Sequence, residues 1–350
     1  MVNRLVKVAT VCLAVVWLSN CNLLPTVESP SDGAASTTTP PASSEARSPS
    51  TSTQATGTLP PSSLRPSTTS PEANSLALYV LELINSDRAQ FGLEPVLLGT
   101  NPAAQIHAQD MFDNYFLSHW GTDGLKPYMR YTVGGGTNYE EENSAYSGWY
   151  DRSVDPRLYA IIDPKQELEQ LQYQMMYDDA GSNWGHRDNI LNKWHKKVNI
   201  GIAHDSRRLT MVEQFEGDYL ELAGPPALGN GTLSLDGVIS LGVLDSVAVF
   251  YDPLPLPTTQ SDLLNGPKSY SLGTRVVTVL PPPPPGYYYS QLPENAVEAS
   301  KWEVSGGAFA VQADISMTLD QHGPGVYTVV VWTKVDADYV MLSNYSLFVR

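Results

Sequence analysis

The sequence predicts an α+β domain followed by an all-β sandwich, and three observations carry that prediction. Apolar residues recur at helical spacing in several stretches between 75 and 177, and a two-strand pattern follows at 198–203 and 209–214. From 229 onward short β-rich runs alternate with Pro, Gly and Asn turns. Between 22 and 74, by contrast, Ser, Thr and Pro dominate and hardly any large apolar residue follows Leu24.

A chain of 350 residues has room for about two domains once a leader and a tether are set aside. Asp+Glu 37 against Lys+Arg 21 gives a net charge of -16, which leaves no basic surface to neutralise phosphates and excludes nucleic acid as the expected partner. The two cysteines, Cys12 and Cys21, both stand in the first 21 residues, so the folded part contains no disulfide.

Residues 1–21 read as an export signal. Arg4 and Lys7 supply positive charge, and the apolar run 8–18 is too short for a permanent membrane span. The run ends in Leu18-Ser19-Asn20-Cys21, which resembles the lipobox of bacterial lipoproteins, although Asn20 stands where Gly, Ala or Ser is usual. That resemblance implies lipidation of Cys21 and anchoring to the cell membrane; an ordinary cleaved signal is the other reading. Residues 22–74 then form a disordered tether, since they bury too little apolar surface to offset their ordering entropy. At about 3.1 Å per extended residue the tether reaches on the order of 100 Å.

Order begins near 75. Leu76, Tyr79, Val80, Leu83 and Ile84 follow helical spacing, stopped by Gly92 and Pro95. Asn101-Pro102 opens a second helix carrying Ala103, Ala104, Ile106, His107, Met111 and Tyr115, with His107 on its buried side as a core residue. A short helix at Tyr128, Met129 and Tyr131 precedes the glycine run 134–136, a flexible turn rather than a phosphate loop. Asp163-Pro164 opens a helix to about Tyr177 with Leu168, Leu171, Met175 and Met176 as its core face. In Asn183-Trp184-Gly185-His186-Arg187-Asp188-Asn189-Ile190-Leu191, the glycine lets the chain turn sharply, so His186 is expected where a loop enters a short helix.

Four segments in this order resemble the CAP superfamily (cysteine-rich secretory, antigen-5 and pathogenesis-related-1, or SCP-like) in its disulfide-free bacterial form. They are Leu83-Ile84-Asn85-Ser86-Asp87-Arg88 with Phe91-Gly92-Leu93, Ser118-His119-Trp120 with Asp123-Gly124, Glu142-Asn143, and Gly185-His186-Arg187 through Leu191. The resemblance covers residues 75–222 and implies a three-layer α-β-α sandwich. It also implies a cleft of two histidines and two acids that in some members holds a divalent metal. Carried over, the histidines are His119 and His186 and the first acid is Glu142. The second acid falls on Tyr173, with Glu167 and Glu169 nearby, so the set is incomplete.

These residues support several chemistries. His119 and His186 with Glu142 make a partial ligand set for Zn²⁺ or another divalent ion, or an acid/base pair without metal. Alternatively His119, Glu142, Asn143, His186 and Arg187 form a hydrogen-bond network that locks the loops. No nucleophile is evident, because the domain holds no cysteine and Ser118 lacks a hydrolase elbow. The leading reading is a cell-surface protein that binds a ligand or envelope component through a cleft of His119, Glu142, Asn143 and His186, without turnover. A metal-dependent hydrolase using His119, His186 and Glu142 is the enzyme alternative. Lys193, His195, Lys196 and Lys197 read as a solvated basic face.

Residues 229–350 are expected to form an immunoglobulin-like β-sandwich, with runs at 232–239, 246–251, 269–279, 308–317, 325–332 and 340–349. Both faces of 327–332 are largely apolar, which marks a central strand. Pro-rich 281–285 and Tyr287-Tyr288-Tyr289 read as an inter-strand connection. An adhesive role for this domain is the third functional reading.

Overall fold

A computed structural model describes residues 11–13, 27–28, 71–148, 151 and 153–350. The leader apart from 11–13, the lipidation candidate Cys21 and nearly all of the tether lie outside the described residues. Two short strands, β1 (Val11–Leu13) and β2 (Val27–Glu28), precede α1 (Pro71–Gln90), which buries Leu76, Val80 and Ile84. After β3 (Leu97–Leu98), α2 (Ala103–Asn114) turns Ala104, His107, Ala108 and Met111 inward. α3 (Pro127–Val133) starts on a proline whose missing N–H costs a first turn nothing. β4 (Glu140–Gly148) follows, then α4 (Pro164–Tyr177), whose Asp163 carboxylate accepts from the N–H groups of Lys165 and Gln166. α5 (Gly185–Ile190), β5 (Lys197–His204) and β6 (Arg208–Glu216) complete the region.

The strands order as β1-β4-β6-β5-β3, antiparallel except where β3 meets β5. Alternation along β6 divides the packing. Leu209, Met211 and Phe215 join α1 and α4 in one apolar core, while Val212 joins Ala104, Ala108 and Met111 of α2 on the other face. The region is α+β, with helices on both sides of the sheet.

The second region begins immediately with β7 (Leu220–Leu222) and β8 (Ala227–Gly229), then β9 (Thr232–Ile239), β10 (Val243–Asp252), α6 (Gln260–Asn265), β11 (Thr274–Leu280) and β12 (Tyr288–Tyr289). β13 (Ala296–Glu298), β14 (Lys301–Ser305), β15 (Ala308–Asp314), α7 (Ser316–His322), β16 (Gly325–Val335), β17 (Asp338–Met341) and β18 (Tyr345–Val349) end the chain. One sheet runs β13-β11-β10-β16-β17 with β18 also on β16; the other runs β14-β15-β9-β7 with β8 on β9. Leu233, Leu235 and Val311 from one face Val247, Val277 and Val329 from the other across a shared core. β16 is central and nearly all buried, as its apolar faces require. The run expected over 308–317 breaks before α7, where the Asp314 side chain accepts from the Ser316 N–H. The run expected over 340–349 is two strands. Ser343 and Asn344 between them are buried and point their side chains at other strands.

The two regions share a buried boundary. Leu125, Tyr128 and Met129 pack with Tyr270, Val326 and Phe348. Lys126 Nζ donates to Asp252 Oδ1 at 2.7 Å and Tyr128 Oη donates to Asp252 Oδ2 at 2.6 Å. The Tyr139 N–H donates to the Leu342 carbonyl at 2.8 Å, and the Asn344 amide donates to the Glu140 carbonyl at 2.9 Å.

Candidate functional site

β4 sets out the site. Its first four residues are Glu140, Glu141, Glu142 and Asn143, and all are buried despite their polarity. Adjacent residues of a strand point to opposite faces, so Glu142 turns toward α3 and Asn143 toward α5. β1 pairs only with Ser144, Ala145 and Tyr146, which leaves Glu142 and Asn143 beyond it.

On the α3 face, His119 Nδ1 donates to Glu142 Oε1 at 3.0 Å. Arg130 on α3 donates through Nη2 to Glu142 Oε2 at 2.8 Å, and through Nη1 to the carbonyls of His119 (2.9 Å) and Leu125 (2.6 Å). Burial alone would raise the Glu142 carboxyl, but the Arg130 guanidinium and the hydrogen bond from His119 outweigh it and hold the group at about 2. His107 donates from Nε2 to the Ser118 carbonyl at 2.8 Å, and burial with the Arg130 charge pushes it down to about 3. It is neutral, so its 3.8 Å approach to Glu142 is not an ion pair. Burial lowers His119 as well, against the opposing pull of Glu142.

On the α5 face, Asn183 and Trp184 both adopt left-handed backbone conformations (φ 53° and 64°), which non-glycine residues seldom hold. They turn the chain back onto Asp179. That carboxylate accepts from the His186 N–H (2.9 Å), the Arg187 N–H (3.2 Å) and His186 Nδ1 (2.6 Å). The Asn143 amide donates to the His186 carbonyl at 3.3 Å and to Glu213 Oε2 at 3.2 Å, while Asn189 donates to Asn143 Oδ1 at 3.0 Å.

His119 thus bonds Glu142 on one side of β4 and His186 meets Asn143 on the other, and all four residues are 0 % exposed. Nε2 of His119, Nε2 of His186 and Nδ1 of His107 have no partner among the described residues. Tyr173 is 58 % exposed. Glu167 bonds Ser147, and Glu169 bonds Tyr79. Three contributors went unread in the sequence: Arg130, Asp179 and Tyr270. Asp179 stands seven residues before His186, where an acid opening a turn is a recognisable cap. Tyr270 comes from the second region. Its ring lies 4.8 Å from that of His119, and its hydroxyl accepts from the Glu142 N–H at 3.0 Å. Of the expected basic face, His195 is buried, stacks on Phe215 and meets Glu141 at 3.2 Å.

Zinc needs more than this donor set offers. Catalytic sites use three protein ligands and an open position. Here Glu142 is held by Arg130, and no group of three or more His, Cys, Asp or Glu among the described residues could hold a metal ion. The described residues do not fit a zinc site.

The buried acids set a pH dependence. Burial raises Glu213 to about 8, so the folded state keeps a proton that the unfolded chain has lost; this stabilisation fades as pH rises from about 4.5 to 8. His107 and Glu142 are lowered, so their contributions fade as pH falls, from about 6.5 toward 3 and from about 4.5 toward 2. Stability is expected to plateau between about pH 4.5 and 6.5 and to decline on both sides. Urea unfolding of Glu213→Gln between pH 6.5 and 8 should lose about 1.4 kcal/mol per pH unit of the wild-type decline; an unchanged slope would show that Glu213 titrates normally.

No protein-family description and no curated protein matches the chain. Among solved structures it is similar to an extracellular protein containing an SCP domain from Bacillus anthracis str. Ames. That match has 19% identity and a TM-score of 0.32, and covers 45% of each chain. It is also similar to the CAP domain of Enterococcal PrgA at 14% identity and a TM-score of 0.28, covering 43% of this chain and 63% of that one. The chain spans less than two thirds of the length of either structure. No helix among the described residues is long and apolar enough to cross a membrane.

Proposed function

We propose that the chain is an exported cell-surface protein. In this reading residues 75–222 are a CAP-type α-β-α sandwich, residues 229–350 an immunoglobulin-like β-sandwich, and Cys21 a lipid attachment point. The first region binds a ligand or envelope component through its histidine cluster, without turnover. One observation carries this reading. Each imidazole commits Nδ1 to a carboxylate, His119 to Glu142 and His186 to Asp179, while Nε2 stays buried and unpartnered. Such pairing fixes ring orientation and tautomer. With its Nδ1 proton on Glu142, neutral His119 offers Nε2 as an acceptor, which suits a ligand rich in hydroxyl or amide donors such as a wall glycan.

The same geometry argues against hydrolysis. A general base needs free reach to the proton it takes, and Glu142 is already engaged by His119 and Arg130. Ser118 Oγ accepts from the Trp120 N–H, and no base addresses it.

The test is NMR of the full chain labelled at histidine, titrated first with soluble peptidoglycan fragments and then with Zn²⁺ alone. The fragments are expected to shift the ring signals of His119 and His186, and a His119→Ala/His186→Ala variant to lose at least about tenfold in affinity. Binding that the variant retains would move the function to the β region. Micromolar zinc binding lost in the variant would favour the hydrolase instead.

A further inference from the structure

We infer that residues 253–273, the connection from β10 to β11, form a strap carrying Tyr270 as the plug that controls access to the His119 side of the cluster. The inference rests on the binding role proposed for that cluster and adds the element that regulates entry.

The strap is long for a connection between adjacent antiparallel strands, and it leaves its own sheet to cross the neighbouring region. At its start the Thr258 N–H donates to the Thr122 carbonyl at 2.9 Å, three residues beyond His119. Gln260 donates to the Tyr115 carbonyl at 2.8 Å. Helix α6, closed by a capping box between Thr259 and Asp262, inserts Leu263 beside Ala104, Ala108 and Phe116. The strap then delivers Tyr270 onto His119 and the Glu142 N–H before rejoining β11.

Two features separate a cover from ordinary core. Against Tyr270 lies the ring of His119, whose Nε2 is a buried acceptor with no partner among the described residues. A closed state with such an atom gains from any ligand that reaches it. The strap also rests on a contact with no slack. Gly124 has φ +79°, and a Cβ there would stand 2.2 Å from the Leu256 carbonyl oxygen. Leu256 and Leu264 on the strap are exposed, while Lys126 Nζ and Tyr128 Oη donate to the Ser271 carbonyl at its far end.

The experiment measures the rate at which diethyl pyrocarbonate modifies His119, read peptide by peptide, and needs no ligand. Failure of the ligand titration therefore leaves this result standing, and the converse also holds. The full chain, with Cys12 and Cys21 replaced by alanine, carries Thr122→Cys and Thr258→Cys to lock the strap by a disulfide. The locked form is expected to react at least tenfold more slowly than the reduced form. Gly124→Ala, which displaces the strap and keeps Tyr270, should react at least tenfold faster than wild type. Equal rates in locked and reduced protein would overturn the inference. So would modification whose urea dependence matches global unfolding, since His119 would then be reached only through the unfolded chain. If the cysteine pair does not oxidise, the Gly124→Ala rate decides alone: unchanged reactivity in a folded variant also overturns it.

Discussion

Replacing Arg130 with methionine is expected to lower the free energy of unfolding by about 3–5 kcal/mol, among the largest effects of any single change in this chain. The guanidinium is 2 % exposed and meets a carboxylate that is wholly buried. Taking both charges out of water is costly, and their attraction with Arg130's two carbonyl bonds offsets that cost. Methionine preserves much of the volume but leaves Glu142 with His119 as its side-chain donor. Adding Glu142→Gln removes the stranded charge while keeping an acceptor for His119. The double variant is therefore expected to be more stable than Arg130→Met alone by at least about 1 kcal/mol. Urea denaturation of the three variants checks this; a single-variant loss below about 1 kcal/mol would mean that solvent reaches Glu142 and the pair is not a buried one.

The second large effect concerns the boundary between the regions. A chain ending at residue 218 is expected not to fold cooperatively. It would lack Tyr270, Val326 and Phe348, against which Leu125, Tyr128 and Met129 are buried, and Leu263, which fills the α2 face. Each large apolar side chain returned to water costs about 1.5–3 kcal/mol. Backbone groups of Tyr139, Glu140 and Glu142 and the Thr132 hydroxyl would also lose their partners in the second region. Against a net stability of about 5–15 kcal/mol these losses are decisive. Near-ultraviolet circular dichroism and a urea melt of residues 71–218 against 71–350 make the comparison. A sharp transition in the shorter chain would show that the first region stands alone.

What the sequence disclosed follows from the range of the forces involved. α4 was legible from Asp163-Pro164 and its four core residues, because cap and periodicity are local. The turn into α5 was legible for the same reason. β4 was not legible, since Glu140, Glu141, Glu142 and Asn143 show no apolar alternation and become strand only by pairing with 213–216 of β6. The histidines and Glu142 could be singled out by residue type and order. Their partners could not be read with them, because Arg130 reaches Glu142 across a glycine turn and Tyr270 arrives from a point 128 residues further along. His195 was misread as solvated because its lysine neighbours are; its burial depends on Phe215 and Glu141, both distant in the chain.

The bond from the Ser346 N–H to the Thr132 hydroxyl bears on the order of events during synthesis. At about 5–20 residues per second, residue 218 leaves the ribosome roughly 6–26 s before residue 346. Through that interval the Glu140 carbonyl and the Thr132 hydroxyl lack the partners that Asn344 and Ser346 supply. A contact of such sequence separation makes for slow folding. It also means that the first region reaches its final packing only after the last strand has been made.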